Sequence, residues 1–136
     1  MTEFNEMVTD VTKTIITMEV NALERWNNGD PSGFIEISDE DVVYFDPMSE
    51  KRIDGLENLT ELYENIRGKV FVEKYKMINP KVQWLDRMAV LTYNLESCIE
   101  EKVVRWNCTE VYQLQDDNNW KIIQTHWSLT KAVEAL

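Results

Sequence analysis

Hydrophobic residues near the N-terminus recur with the period of an α-helix. Between residues 3 and 27 the apolar positions that share one helical face are Met7, Val11, Ile15, Met18, Ala22, Leu23 and Trp26. A stripe of this width predicts an amphipathic helix packed on a core. Gly29 ends the pattern, and Asp30-Pro31 begins a short second helix that ends near Ile37. We expect the Asp30 carboxylate to cap that helix.

The middle of the chain predicts one short strand and a third helix. Residues 42–45 are rich in β-formers, and Asp46-Pro47 closes them as a turn. Asp54 is expected to cap a helix over residues 55–66, which Gly68 ends. Its predicted inward stripe consists of Leu56, Leu59, Leu62, Tyr63 and Ile66.

The remainder of the chain has the composition of long strands. Residues 70–84, 88–99, 103–115 and 120–130 are rich in Val, Ile, Tyr, Thr and Trp. Turn-forming residues at 116–119 predict a tight hairpin between the last two strands. The order is helix, helix, strand, helix and four antiparallel strands, which indicates an α+β fold with the helices on one face of the sheet.

Alternation within the last hairpin separates two faces. With Gln115 opposite Trp120, Tyr112 lies opposite Ile123 and Glu110 lies opposite Thr125. The face expected to meet the helices and line a pocket is the more aromatic one: Trp106, Cys108, Glu110, Tyr112, Ile123, Thr125 and Trp127. Solvent or a partner subunit covers the other face, which is amphipathic. That outer face carries Arg105, Asn107, Thr109, Val111, Gln124, His126 and Ser128.

Composition narrows the class of protein. A chain of 136 residues with 43% hydrophobic residues is expected to form a single domain over residues 1–136. The net charge of −11 disfavours nucleic acids and anionic membranes as partners. With no signal-peptide pattern and no long apolar run, a cytoplasmic location is expected.

Neither a metal nor a cofactor is predicted. Cys98 and Cys108 lack metal-ligand spacing and fall on opposite faces, so they are expected to be reduced thiols that pack in the structure. The sequence has no phosphate loop and no dinucleotide fingerprint. His126 and Ser128 share a face without a nucleophile elbow, and this favours hydrogen bonding at a surface or subunit interface over catalysis.

Several segments together resemble the nuclear transport factor 2-like superfamily over nearly the whole chain. They are Asn28-Gly29-Asp30, the run VVYFDP, and the closing TEVYQLQDDNNWKIIQTHWS. The resemblance implies a cystatin-like cone, in which a curved antiparallel sheet wraps around a long N-terminal helix and two shorter helices. The closing segment is similar to the association domain of calcium/calmodulin-dependent kinase II and to SnoaL-like polyketide cyclases. The stretch DPMSEKRIDGLENLTELYENI resembles ketosteroid isomerase.

The isomerase resemblance implies roles for two carboxyl groups. Asp46 matches the catalytic base, and Glu110 matches the protonated acid that donates to the oxyanion. Ala22 stands where the isomerase has a second donor, a tyrosine, so steroid isomerisation itself is disfavoured. The alternative is structural: Asp46 caps its turn, while Glu110 faces solvent or a basic neighbour.

Three functions remain open at this point. The first is a small-molecule-binding domain for an apolar or carbonyl-bearing ligand. Its expected ligand-binding residues, which could equally be ordinary core, are Trp26, Tyr44, Tyr63, Trp106, Tyr112, Thr125 and Trp127. The second is a cofactor-free acid–base enzyme, an isomerase, cyclase or dehydratase, with Asp46 as base. The third is an oligomeric assembly module, in line with the homodimer through the outer sheet face that the resemblance implies.

Overall fold

Three helices and six strands follow one another along the part of the chain that the structure describes. A computed structural model gives the backbone of residues 2–131 and the side chains of residues 10–131, so Met7 lies outside the described side chains. The helices are α1 (Thr2–Asn27), α2 (Ser32–Glu36) and α3 (Leu56–Glu64). The strands are β1 (Ser38–Phe45), β2 (Ile53–Asp54), β3 (Lys74–Leu85), β4 (Met88–Ile99), β5 (Lys102–Leu114) and β6 (Trp120–Leu129).

The strands form one curved, unclosed sheet in the order β2-β1-β6-β5-β4-β3. The four long C-terminal strands pair antiparallel, as predicted. The predicted α+β cone is confirmed. The sequence did not predict β2, nor that β1 pairs with β6 in parallel, Tyr44 lying beside Thr125. That pairing places the first strand second from one edge of the sheet, beside the strand that carries Trp127.

The register of the last hairpin differs from the prediction on the turn side of a bulge, where Trp120 pairs with Leu114 and not with Gln115. Glu110 pairs with Thr125, as predicted, but Tyr112 pairs with Ile122 and not with Ile123. A bulge between Val111 and Tyr112 inserts Ile123 as an extra residue, and a bulge of this kind shifts the alternation of faces. The assignment of Ile123 to the aromatic face was therefore wrong. Ile122, which is fully buried, takes its place in the core.

Two predicted caps also change. Gly55, with φ +86°, precedes α3, and the Asp54 carboxylate is bound by Arg52 instead of capping the helix. Pro31 is the residue directly before α2, but the Asp30 carboxylate accepts the N–H of Ser32, the first residue of the helix, at 2.9 Å, as predicted. Both cap positions thus move by one residue, and the helices stay in place.

The start of β3 is later than predicted. Residues 70–73 run past the end of α1, where the Val72 N–H donates to the Asn27 carbonyl at 2.9 Å. Gly68, with φ +75°, donates its N–H to the Gly29 carbonyl at 2.8 Å. These bonds hold the segment against the helix, so regular pairing begins only at Lys74.

The core lies between α1, α3 and the inner face of the sheet. Ile15 and Leu23 of α1 meet Leu59 of α3 and Leu91 of β4, and all four are almost fully buried. Of the predicted α3 stripe, Leu59 and Tyr63 are buried while Leu56, Leu62 and Ile66 are half-buried. None of the described helices combines the length and the hydropathy that crossing a membrane requires.

Candidate functional site

A cavity opens between the end of α1, β1, α3 and the inner face of the sheet. Its volume is about 120 Å³, or about 670 Å³ when the space of its open mouth is counted. Five aromatic residues predicted to bind ligand are among its lining: Trp26, Tyr44, Tyr63, Trp106 and Trp127. Asp46, the predicted base, also lines it. Strands and helices from both ends of the chain therefore contribute to one apolar space.

The aromatic wall consists of rings packed edge to face. Trp26 and Tyr63 have centroids 5.1 Å apart, Tyr44 and Tyr63 5.6 Å, and Trp106 and Trp127 6.0 Å. Such T-shaped pairs stabilise each other beyond the burial of their area. The wall is consequently a rigid surface that needs little reorganisation to accept an apolar ring.

Asp46 sits in the lining and closes the turn after β1. Its Oδ1 accepts the N–H groups of Met48 and Ser49 at 2.9 and 2.7 Å, and its Oδ2 accepts the Tyr44 hydroxyl at 2.8 Å. Burial, followed by the charge of Asp46, raises the pKa of Tyr44, so this hydroxyl keeps its proton and remains the donor. The turn-capping arrangement is the structural alternative that the sequence left open.

Two neutral polar residues of the lining were missed by the sequence analysis. Asn27 is the last residue of α1 and is 8% exposed, and its Nδ2 has no hydrogen-bond partner among the described residues. Ser97 of β4 is 6% exposed. Asn27 falls in the Asn-Asn-Gly sequence at the helix end, which marks where a helix stops and gives no signal of a cavity.

Glu110, Tyr112 and Thr125 do not line the cavity but are buried in the core. Glu110 has zero exposure, and its Oε2 lacks a partner among the described residues, so neither solvent nor a basic neighbour satisfies it. Burial first, and then the charge of nearby Glu19, raises the pKa of Glu110 well above its ordinary value. Burial therefore favours the protonated form of Glu110.

Glu19 is a second buried carboxyl that the sequence analysis missed. Its oxygens accept the hydroxyls of Tyr93 at 2.5 Å and Tyr112 at 2.6 Å. The sequence does carry a signal for it, since Glu19 lies four residues from both Ile15 and Leu23 on the inward stripe of α1. A polar residue at such a position predicts a buried polar cluster.

Glu19, Cys108 and Glu110 place ligand-type atoms within 4.8 Å of one another. Without a metal, burial raises the pKa of the Cys108 thiol as well as that of Glu110. Metals bind the thiolate and the carboxylate, so binding here would have to release these protons. Both oxygens of Glu19 accept tyrosine hydroxyls, with which a metal would have to compete.

The two predicted catalytic carboxyls are thus in different surroundings. Asp46 lies in the lining and is half-exposed, whereas Glu110 is enclosed in the core beside Glu19. The structure therefore does not place the two groups across one cavity.

The outer face of the sheet is amphipathic. The rings of Phe45 and His126 lie 5.1 Å apart there, and Val111 is half-buried between exposed Thr109 and Gln113. Phe45, Met88 and Val103 are exposed hydrophobic residues of the same face. His126, Thr109 and Val111 were predicted to share one outward surface. The pairing of β5 with β6 places them on the same face of the sheet.

Residues 11–131 match the family profile of the calcium/calmodulin dependent protein kinase II association domain. None of the curated proteins gives a match. A solved structure from Parabacteroides distasonis ATCC 8503, provisionally described as a ketosteroid isomerase, is 47% identical, with 89% of each chain covered and a TM-score of 0.82.

Two more distant structures share the fold. An NTF2-like protein of unknown function from Pseudomonas putida KT2440 is 19% identical, with 93% of this chain and 91% of that one covered and a TM-score of 0.81. The CaMKII hub of S. rosetta is 19% identical, with 88% and 96% covered and a TM-score of 0.70. The chain belongs to the calcium/calmodulin dependent protein kinase II association domain family, and it has the nuclear transport factor 2-like fold.

Proposed function

We propose that this chain binds a small apolar or carbonyl-bearing molecule in the cavity between α1, α3 and the sheet. The observation that carries the proposal is a cavity walled by six aromatic rings, those of the five predicted residues and that of Phe34, with only a few polar groups in its lining. Small-molecule sites have this composition. An apolar cavity of about 150 Å³ holds benzene in another protein. The 120 Å³ here is of the same order and continues into an open mouth, so the proposed ligand has one ring in the cavity and the rest of its body in the mouth.

The charges of the lining select against anions. Asp46 is the one charged residue among the described lining residues, and no Lys or Arg accompanies it. Moving an anion out of water into such a site would leave its charge uncompensated. A neutral ligand avoids that cost.

The acid–base enzyme remains a weaker alternative. Asp46 already accepts three hydrogen bonds, and Glu110 is separated from the cavity space. A general base must reach the proton it removes, and an oxyanion donor must reach the same ligand. The present geometry supports binding better than it supports this chemistry.

The test is a cavity-filling variant. Ser97→Leu introduces an apolar side chain into the lining, whereas Thr109→Leu adds the same side chain on the exposed outer face as a matched control. Ethylbenzene serves as the one-ring probe, and its binding is followed by NMR through the indole N–H signals of Trp26, Trp106 and Trp127. We expect wild type and Thr109→Leu to bind and Ser97→Leu to lose binding by at least about tenfold. Equal binding by all three, or by none, would contradict the proposal.

A second candidate function is self-association through the outer sheet face, as a homodimer. Two observations favour it: the chain's membership in an association-domain family, and the exposed Phe45, Met88 and Val103 on that face. The solved relatives include CaMKII hubs. Binding and assembly use opposite faces of the sheet, so the two functions are compatible.

A further inference from the structure

One residue of the cavity lining, Asn27, carries a buried hydrogen-bond donor that has no partner within the described chain. The Asn27 side chain is 8% exposed, and its Nδ2 is fully enclosed without an acceptor. An unpaired buried amide destabilises a fold, and native structures contain few of them. A ligand in the cavity that supplied an acceptor would explain why the buried Asn27 amide has no partner in the chain.

The backbone that carries the Asn27 side chain is held in place by its neighbours. The Asn27 carbonyl accepts the Val72 N–H at 2.9 Å, and the preceding residue, Trp26, packs edge to face on Phe34 and Tyr63. The end of α1 is thereby fixed to two other parts of the fold. A donor fixed in advance loses little entropy when an acceptor arrives, and such preorganisation increases affinity.

Resting on the proposed function, we infer that Asn27 determines the specificity of the cavity by donating to an uncharged carbonyl oxygen of the ligand. The ligand class is a ketone, lactone or amide on a one-ring apolar body. A carboxylate also has acceptor oxygens, but it would enter a lining that holds Asp46 and, among the described residues, no basic side chain. A hydrocarbon of the same shape would leave the amide unpaired.

Three probes of similar size separate these chemistries. Acetophenone carries a neutral carbonyl, ethylbenzene has no acceptor, and benzoate is charged at neutral pH. For the wild-type chain we expect acetophenone to bind about fivefold more tightly than ethylbenzene, the scale of one net hydrogen bond. Benzoate is expected to bind more weakly than either.

Asn27→Leu removes the amide and nearly preserves the side-chain shape. We expect the ratio of acetophenone to ethylbenzene affinity to fall to about one in this variant. Asn27→Asp replaces the donor with an acceptor and is expected to reverse the preference. Far-ultraviolet circular dichroism and thermal unfolding establish that each variant is folded.

A measurement on the unmodified chain does not depend on the variants folding. The side-chain NH₂ signals of Asn27, identified by their loss in Asn27→Asp or by sequential assignment, should shift on adding acetophenone and stay nearly unchanged with ethylbenzene. If ethylbenzene binds but acetophenone shows no preference, or the preference survives in Asn27→Leu, the role of Asn27 is overturned while the binding function stands. Tighter binding of benzoate would also overturn the inference. If no probe binds, both the inference and the proposed function fail.

Discussion

The Tyr44 hydroxyl donates a 2.8 Å hydrogen bond to Asp46 Oδ2, two residues further along the chain. The bond links the end of strand β1 to the residue that follows it at the mouth of the cavity. Tyr44 is buried in the cavity wall, whereas Asp46 is half-exposed. A residue predicted as a catalytic base is thereby also the acceptor that keeps an aromatic wall residue in place.

Tyr44→Phe should reduce the free energy of unfolding by about 1 kcal/mol, since it removes one partly buried hydrogen bond to a charged group. Tyr75→Phe is the matched control, because the Tyr75 hydroxyl donates to Glu24 at the same distance of 2.8 Å on the exposed surface. We expect the control to change stability by less than about 0.5 kcal/mol. Urea unfolding measures the free energy of unfolding of both variants. Equal decreases would show that the Tyr44 hydrogen bond stabilises the fold no more than the exposed Tyr75 bond does.

Glu110→Gln should gain stability relative to wild type as pH rises. The pKa of Glu110 in the folded chain lies well above its ordinary value of 4.5, so the folded state binds more protons than the unfolded state at higher pH. Stability from this group is therefore present below about pH 4.5 and is lost as pH rises toward the folded pKa, by at most about 1.4 kcal/mol per pH unit. Gln at position 110 does not ionise, so the variant does not lose this stability as the pH rises, and it therefore gains stability relative to wild type.

The comparison is made by urea unfolding from about pH 5.5 to about pH 8. Glu96→Gln, on the outer face of β4 beside Arg105, reports what the loss of one surface carboxylate does in the same series. A stability difference between Glu110→Gln and wild type that is constant across this range would contradict a protonated Glu110.

The two cysteines should differ in reactivity. Cys108 is 2% exposed, and burial followed by the charges of Glu110 and Glu19 raises its thiol pKa, so little thiolate is available to react. Cys98 is only half-buried. Iodoacetamide at neutral pH should therefore label one site in the native chain, detected by mass spectrometry. Cys98→Ser should abolish the labelling and Cys108→Ser should leave it unchanged, whereas rapid labelling of Cys108 would mean that the cluster opens to solvent.

Val111→Lys should weaken self-association if the outer sheet face forms the dimer. A charge placed in the middle of an apolar contact is costly to desolvate. Thr14→Lys adds the same charge at an exposed position of α1 and serves as the control. Size-exclusion chromatography with light scattering is the measurement. We expect a shift toward monomer only for Val111→Lys, and a wild-type monomer would remove the homodimer proposal itself.

Local patterns predicted much of the fold and little of the buried polar chemistry. The spacing of Ile15, Ala22 and Leu23 sufficed for α1, and alternation sufficed for the pairing of Glu110 with Thr125. The bulge at Ile123 interrupts the alternation of inward and outward residues without leaving a signal in the sequence. The pairing between this bulge and the turn was therefore predicted incorrectly.

The interior of the site depends on contacts between distant segments. Glu19 is satisfied by Tyr93 and Tyr112, which belong to strands far along the chain. Asn27 becomes part of a cavity wall only because Val72 returns to the end of α1. Neither relation follows from the neighbours of these residues in sequence, and for this reason the sequence indicated an aromatic pocket without its neutral polar groups.

The parallel pairing of β1 with β6 also sets the order in which the protein can be completed during synthesis. β1 leaves the ribosome long before β6. Tyr44 can pair with Thr125 only after the intervening residues, more than half of the chain, have been synthesised. Contacts this distant in sequence form late and slow folding. A nascent chain that stops before Trp120 would have β1 without its long partner, an exposed strand edge prone to pairing with other chains. The wall that carries Tyr44 and Asp46 is thus the last part of the cavity to be built.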